Sequence, residues 1–124
     1  MSPLTITTRD AATGPVLEIT GDLDHHTAPE LRKAVERLTL AAGQRLVLDL
    51  ARLNFCDSSG ISALLSARSL ATEQGAGMAL AAVPANTARI LRIVGLDQVF
   101  TIHDDVSAAT AADSSDPSCR QTIV

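Results

Sequence analysis

Two segments near the start of the chain alternate apolar and polar residues with a period of two. Residues 4–7 and residues 16–19 both follow this pattern, which is typical of β-strands. The residues between them, 11–15, include Gly and Pro and predict a turn. We therefore expect the two strands to form a hairpin that ends at Gly21.

The next apolar residues recur with a helical period. The Thr27 hydroxyl is expected to cap this helix, with Glu30 completing a capping box and Pro29 tolerated in the first turn. The helix is expected to end near Gly43. Its apolar residues are spaced three and four apart and so share one face, formed by Leu31, Ala34, Val35 and Leu38.

Short apolar runs alternate with helical patterns in the rest of the chain. Residues 45–50 and 78–83 are mostly apolar, as in strands buried on both faces, and residues 99–102 predict a last short strand. The chain is expected to turn around residues 55–57. The helices expected here are residues 58–73, closed by Gly75 and Gly77, residues 86–94, capped by Asn86 and followed by Gly95, and residues 104–112.

The order β-β-α-β-α-β-α-β-α predicts an α/β fold. Because the later strands alternate with helices, we expect them to pair in parallel through right-handed crossovers. The prediction is a mixed, mainly parallel β-sheet of about five strands with about four α-helices packed against it. Residues 1–112 would form this single domain, and residues 113–124, rich in Ser and Asp, are predicted to be a flexible C-terminal tail.

The composition of the chain argues against some classes of partner and indicates a cellular location. Aromatic residues make up 2% of the chain, and the ten basic residues are scattered over a chain of formal charge −4, so no nucleic-acid surface is expected. No apolar run approaches the roughly 18 residues that cross a membrane, and the start of the chain lacks a signal-peptide pattern. Cys56 and Cys119 lie in dissimilar contexts, which argues against a disulfide framework. These features predict a cytoplasmic protein without a membrane partner.

The segment that carries candidate chemistry is Asp57-Ser58-Ser59-Gly60, where a predicted buried strand gives way to a helix. In open α/β sheets the functional crevice lies outside the carboxyl ends of the strands, and helix N-termini favour negative charge. Asp and Ser are also preferred N-cap residues, so spacing alone leaves a capping role and a functional serine both open.

The predicted helix over residues 58–73 has two distinct faces. Ile61, Leu64, Leu65 and Ala71 share an arc expected to face the core, which Arg68 interrupts. On another side lies a stripe of small hydroxyl residues, a shallow surface on which another protein could pack closely. The stripe consists of Ser58, Ser62, Ser66 and Ser69.

A second polar cluster lies between the second strand and the first helix. Asp22, Asp24, His25 and His26 could suggest a metal or acid–base site, but no His pair spaced by four residues and no Cys-x-x-Cys accompanies them. A polar loop at the same sheet edge as Ser58 is the favoured interpretation. Nucleophile-elbow, phosphate-loop and dinucleotide-binding motifs are absent from the sequence. We therefore expect no catalysis, no metal and no cofactor.

Three separated motifs resemble the STAS domain of bacterial anti-sigma factor antagonists. They span residues 21–28, residues 48–61 and residues 93–100, and the likeness covers roughly residues 4–110. The resemblance implies a mixed sheet flanked by helices, in agreement with the periodicity. Two departures are Arg68, at a position usually less charged, and the chain beyond Ala112, which is longer than the family pattern.

The resemblance also implies a function and its partners. Family members bind an anti-sigma factor that is also a serine kinase and thereby free the sigma factor, and a PP2C-type phosphatase reverses the phosphorylation. The phosphoacceptor would be Ser58, and the acidic loop with Asp22 and Asp24 would contact the kinase. The other residues expected to bind the partner are His25, Asp57, Ser59, Gly60, Ser62 and Ser66. Two alternatives share the fold: a scaffold subunit of a lipid-transport ATPase complex, and a small-molecule or nucleotide sensor.

Overall fold

The computed structural model describes residues 4–110, which form five strands, four α-helices and one 3-10 helix. The predicted tail over residues 113–124, with Cys119, lies outside these residues. The elements in chain order are β1 (Thr5–Ala11), β2 (Gly14–Leu23), α1 (Ala28–Glu36), β3 (Arg45–Cys56), α2 (Ser58–Glu73), β4 (Gly77–Ala81), α3 (Ala85–Ile93), the 3-10 helix (Leu96–Gln98), β5 (Thr101–His103) and α4 (Val106–Thr110).

The five strands form one sheet in the order β1-β2-β3-β4-β5. β1 pairs with β2 as an antiparallel hairpin, in which Ala11 lies opposite Gly14, and every later pair is parallel. A helix connects each parallel pair because parallel neighbours require a crossover. The predicted fold class, a mixed and mainly parallel sheet with helices beside it, is confirmed.

The main core lies between one face of the sheet and helices α1 and α2. Alternate residues of the central strands point into it, and helices α1 and α2 pack against each other above it. The fully buried side chains include Leu17, Ile19, Leu46, Leu48, Leu50, Leu80, Leu31, Val35 and Leu64.

Helix α4 covers part of the opposite sheet face. Val16, Val47 and Ala81 form a small second core with Ala109 of α4. The Arg45 guanidinium donates a hydrogen bond of 3.0 Å to the Ala109 carbonyl, so β3 also holds the last turn of α4. The candidate side chains at the carboxyl ends of β2 and β3 therefore project from a sheet that is packed on both faces.

Helix α1 ends at Glu36, so the predicted end near Gly43 was wrong. The amide of Leu40 donates a 2.8 Å hydrogen bond to the Gln74 side chain, and Leu40 is buried. This tertiary hydrogen bond draws the chain out of the helix before Gly43, which a pattern of spacing within α1 could not show.

Strands β2 and β3 are longer than predicted. β2 continues past Gly21 to Leu23, and β3 continues past Leu50 to Cys56, into the segment where a turn was expected. Their pairing shifts register between Glu18 and Thr20 and again between Gly21 and Asp22. These irregularities break the period of two, which explains why the pattern underestimated both strands.

Helix α3 begins at Ala85 with Pro84 in the cap position, so the prediction that Asn86 caps it was wrong. The predicted glycines after α2 and α3 are confirmed at Gly75 and Gly95. Their φ angles of 78° and 81° are in the left-handed conformation that is common just past a helix end. Among residues 4–110 no helix has the length and apolarity to span a bilayer.

Candidate functional site

The start of α2 resolves the choice between a capping serine and a free one. Asp57 is extended, with φ −100° and ψ −169°, and its carboxylate accepts a 3.0 Å hydrogen bond from the Gly60 amide. Asp57 is therefore the N-cap, and Ser58 is the first residue of the helix. The Ser58 side chain is exposed, and its hydroxyl has no hydrogen-bond partner within residues 4–110.

Gly60 brings the end of β2 against the start of α2. A Cβ atom at Gly60 would lie 2.5 Å from the Leu23 carbonyl oxygen and 2.7 Å from the Cys56 sulfur. The Asp57 amide also donates a 3.3 Å hydrogen bond to the Leu23 carbonyl. The absence of a side chain at Gly60 thus lets the acidic loop and Ser58 share one end of the sheet. Gly60 is itself buried, and its contact with a partner stays a prediction.

Cys56 lies two residues before the candidate phosphoacceptor, but its thiol is unreactive at neutral pH. Its side chain is buried, and burial first, then the Asp57 charge, raises the pKa of the thiol to about 12. A thiol that is protonated at neutral pH is a poor nucleophile. Cys56 therefore serves packing beneath the start of α2.

The acidic loop folds around Asp24 rather than around the predicted capping box. The Asp24 carboxylate accepts hydrogen bonds from the amides of His26 at 3.0 Å and Thr27 at 3.2 Å. The Thr27 hydroxyl donates to the Asp22 carbonyl at 2.8 Å, and no side chain caps α1. The predicted pairing of Thr27 with Glu30 was wrong because Thr27 is buried and faces the preceding loop.

These hydrogen bonds also set the charge state of Asp24. Partial desolvation raises its pKa, but hydrogen bonds from Thr27 and His26 outweigh that effect and hold the pKa below its usual value. Asp24 is therefore charged at neutral pH. The neighbouring His25 and His26 rings lie with their centroids 4.0 Å apart. Within residues 4–110 no three His, Cys, Asp or Glu side chains are grouped as metal ligands.

A groove runs between helices α1 and α2. Its first half has a volume of about 260 Å³ and begins at Ser59, next to Ser58. A second cavity of about 300 Å³ continues it as far as Ser69 and shares Arg32 and Ser66 with the first. We call the two together the α1–α2 groove. Its first half is lined by His25, Ala28, Pro29, Arg32, Ser59, Ser62, Ala63 and Ser66.

The groove modifies the predicted serine stripe. Ser62, Ser66 and Ser69 line it as expected, and Ser59 joins them, whereas Ser58 lies at its start without lining it. The buried side chains of Ile61, Leu64 and Ala71 confirm most of the predicted core arc, whereas Leu65 is partly buried and lines the second half of the groove. The open, shallow shape suits contact with a protein surface better than enclosure of a small molecule.

Two residues of the site were missed from the sequence. Phe55 is 53% exposed and pairs with Asp22 across β2 and β3, which places an aromatic side chain beside the acidic loop. Arg32 lines both halves of the groove from α1. The exposure of Phe55 depends on where β3 ends, and the place of Arg32 depends on how α1 packs on α2, so neither was visible in the local pattern.

The fold and the motif match one family along almost the whole described chain. The STAS domain family model matches residues 4–109, so the chain belongs to the STAS domain family. Individual relatives indicate which members of the family the chain resembles. The chain is 33% identical to the anti-sigma F factor antagonist of Paenibacillus polymyxa over 97 residues, covering 77% of this chain and 83% of the relative.

Two further relatives are described in the same terms. The anti-sigma-F factor antagonist RsfB of Mycobacterium tuberculosis is 31% identical over 82% of this chain and 85% of its own length. The crystal structure of an anti-sigma factor antagonist from Mycobacterium paratuberculosis superimposes with a TM-score of 0.71 at 27% identity, covering 86% of this chain and 90% of that one. These relatives are described as antagonists of another protein and not as enzymes, in agreement with the expectation that the chain is not an enzyme.

Proposed function

We propose that the protein is an anti-sigma factor antagonist controlled by phosphorylation of Ser58. In the unphosphorylated state it binds an anti-sigma factor that is also a serine kinase, and this binding frees the sigma factor. The kinase then phosphorylates Ser58 and ends the interaction, and a PP2C-type phosphatase restores it. The exchange takes place in the cytoplasm. The names of the relatives support the antagonist role.

The proposal rests mainly on one observation: Asp57, and not Ser58, caps helix α2. Asp57 caps α2 through its 3.0 Å hydrogen bond to the Gly60 amide, while the Ser58 hydroxyl is exposed and uncommitted. A kinase can therefore modify Ser58 without breaking a hydrogen bond that holds the helix. The cap and the phosphoacceptor are separate residues, so modification need not unfold the site.

The electrostatics of the helix start favour a change of binding over a change of fold. A phosphoserine carries about −1.5 to −2 charges. Near a helix N-terminus a negative charge is stabilised by about 0.3–1 kcal/mol, so α2 should tolerate it. Across a closely packed interface an unpaired charge costs several kcal/mol. Because about 1.4 kcal/mol corresponds to a tenfold change in affinity, phosphorylation should weaken binding by roughly a hundredfold or more.

The surface around Ser58 supplies the contacts of the unphosphorylated state. On one side the acidic loop offers Asp22, Asp24 and His25, next to the exposed Phe55. On the other side the groove offers Ser59, Ser62 and Ser66, with Asp57 and the buried Gly60 at its start. These two sides are joined at the carboxyl ends of β2 and β3, where Leu23 pairs with Cys56. A partner that contacts both sides would lie next to Ser58.

The proposal is tested with variants of Ser58 and the anti-sigma factor encoded by the same genome. Ser58→Ala should bind it constitutively, and Ser58→Asp should lose most of the affinity while keeping the circular dichroism spectrum. Ser107→Asp is the matched control, because Ser107 is an exposed serine on α4, which packs on the opposite face of the sheet. Equal affinities for Ser58→Asp and the unmodified protein would contradict the proposed switch.

A further inference from the structure

The α1–α2 groove contains an arginine at its centre. Arg32 lines both the half next to Ser59 and the half that reaches Ser69. Its side chain is exposed, and the one ion pair found within residues 4–110 joins Arg9 and Glu18 elsewhere. The guanidinium of Arg32 is therefore available to a group that enters the groove.

The charges along the groove are unevenly distributed. Among the described residues that line the half next to Ser59, the only ionisable ones are His25 and Arg32. The single carboxylate of the groove, Glu36, lies one helical turn beyond Arg32 in the other half. The half nearest Ser58 is thus lined by one guanidinium and by no carboxylate, on a chain whose formal charge is −4, while the carboxylates of Asp24 and Asp57 lie outside this lining. Complementary charge favours an acidic group there and disfavours it at the Glu36 end.

We propose that Arg32 is a specificity-determining residue that pairs with a carboxylate of the anti-sigma factor. This inference rests on the proposed function and adds the chemistry of the partner's contact segment. The segment would be a helix whose small or apolar residues pack on Ser62, Ser66 and Ala63, with one Asp or Glu directed at Arg32. The small serine and alanine side chains permit close approach, and the planar guanidinium can bind a carboxylate through two parallel hydrogen bonds.

The position of the groove connects this contact to the switch. The groove begins at Ser59, so a segment that lies in it ends next to Ser58. A phosphate on Ser58 would place negative charge beside a segment selected for its own negative charge. The repulsion between the two would add to the cost of covering the phosphate. Arg32 would therefore make the interface selective for a partner segment that carries a carboxylate at this position, and sensitive to phosphorylation at the same time.

The experiment measures the affinity of unphosphorylated variants for the anti-sigma factor over a range of salt concentrations. Arg32→Gln should weaken binding roughly tenfold and flatten its salt dependence, and Arg32→Glu should weaken it further. Arg32→Lys should recover only part of the affinity because an ammonium cannot form the paired hydrogen bonds. Arg68→Gln is the control, because Arg68 is an exposed arginine of α2 that does not line the groove.

A charge reversal identifies the partner's carboxylate. Single Asp→Lys and Glu→Lys variants of the anti-sigma factor are tested against Arg32→Glu, and one of them should restore binding while weakening binding to the unmodified protein. Unchanged affinity and salt dependence in Arg32→Glu would overturn the inference while leaving the Ser58 switch intact. Failure of the unmodified protein to bind the anti-sigma factor would instead overturn the proposed function, and the role of Arg32 with it.

Discussion

Replacement of Gly60 by alanine tests how the end of β2 is held against the start of α2. The added Cβ would lie 2.5 Å from the Leu23 carbonyl oxygen, a backbone atom that cannot move without shifting β2, and 2.7 Å from the Cys56 sulfur. In an ordinary helix, Gly→Ala stabilises by about 0.5–1 kcal/mol. Overpacking of this kind costs about 1–3 kcal/mol, so the clash should outweigh the gain in helix propensity. We expect a net loss of about 1–2 kcal/mol in the free energy of unfolding.

The assay for Gly60→Ala is urea denaturation followed by circular dichroism. Gly77→Ala serves as the control, because a Cβ at Gly77 would meet no atom within 4 Å. We expect the control to match or slightly exceed the unmodified protein in stability. The affinity of folded Gly60→Ala for the anti-sigma factor should also fall, since the acidic loop shifts relative to Ser58. A Gly60→Ala variant as stable as the unmodified protein would refute the close approach described above.

Two further predictions concern the residues that shape the site. Asp57→Ala should lose about 1 kcal/mol of stability through loss of the cap, whereas Asp57→Asn should retain most of it; equal urea midpoints for the two would contradict the cap. Because hydrogen bonds depress the pKa of Asp24, its stabilising effect is present above the unfolded-state pKa near 3.8 and is lost as the pH falls through the lower folded-state value. Unfolding measured from pH 6 to pH 3 should therefore show a shallower acid loss in Asp24→Asn, and parallel curves would argue against the shift.

Much of the fold was predictable because the spacing of apolar residues within each segment matches the helix or strand that the segment forms. The hairpin, most of the apolar face of α1 and most of the core arc of α2 appear as expected, because each depends on residues close together in the chain. Leu38 is the exception on α1, since it lies beyond the end of the helix. The end of α1 was not predictable, because the Leu40 amide donates a hydrogen bond to the side chain of Gln74, 34 residues away in the chain. The far part of β3 was missed because its register shifts and the exposed Phe55 obscure the strand pattern.

The features of the candidate site that depend on neighbouring residues were also predictable, and those that depend on contacts between elements were not. The motif over residues 57–60 pointed to Ser58, and the structure adds that Asp57 is the cap, which spacing alone could not decide. The α1–α2 groove needs two helices to be packed side by side, so the serine stripe could be seen in the sequence but its partner Arg32 could not. Contacts between elements, unlike patterns within them, required the three-dimensional arrangement.

The most direct test of the switch compares one protein in two states. The chain is phosphorylated on Ser58, which intact-mass analysis verifies as the gain of a single phosphoryl group, and its affinity for the anti-sigma factor is measured by calorimetry beside the unmodified form. The phosphorylated form should bind roughly a hundredfold more weakly or worse, while both forms have the same circular dichroism spectrum. Equal affinity of the two forms, or a loss of affinity accompanied by loss of helical signal, would contradict this prediction.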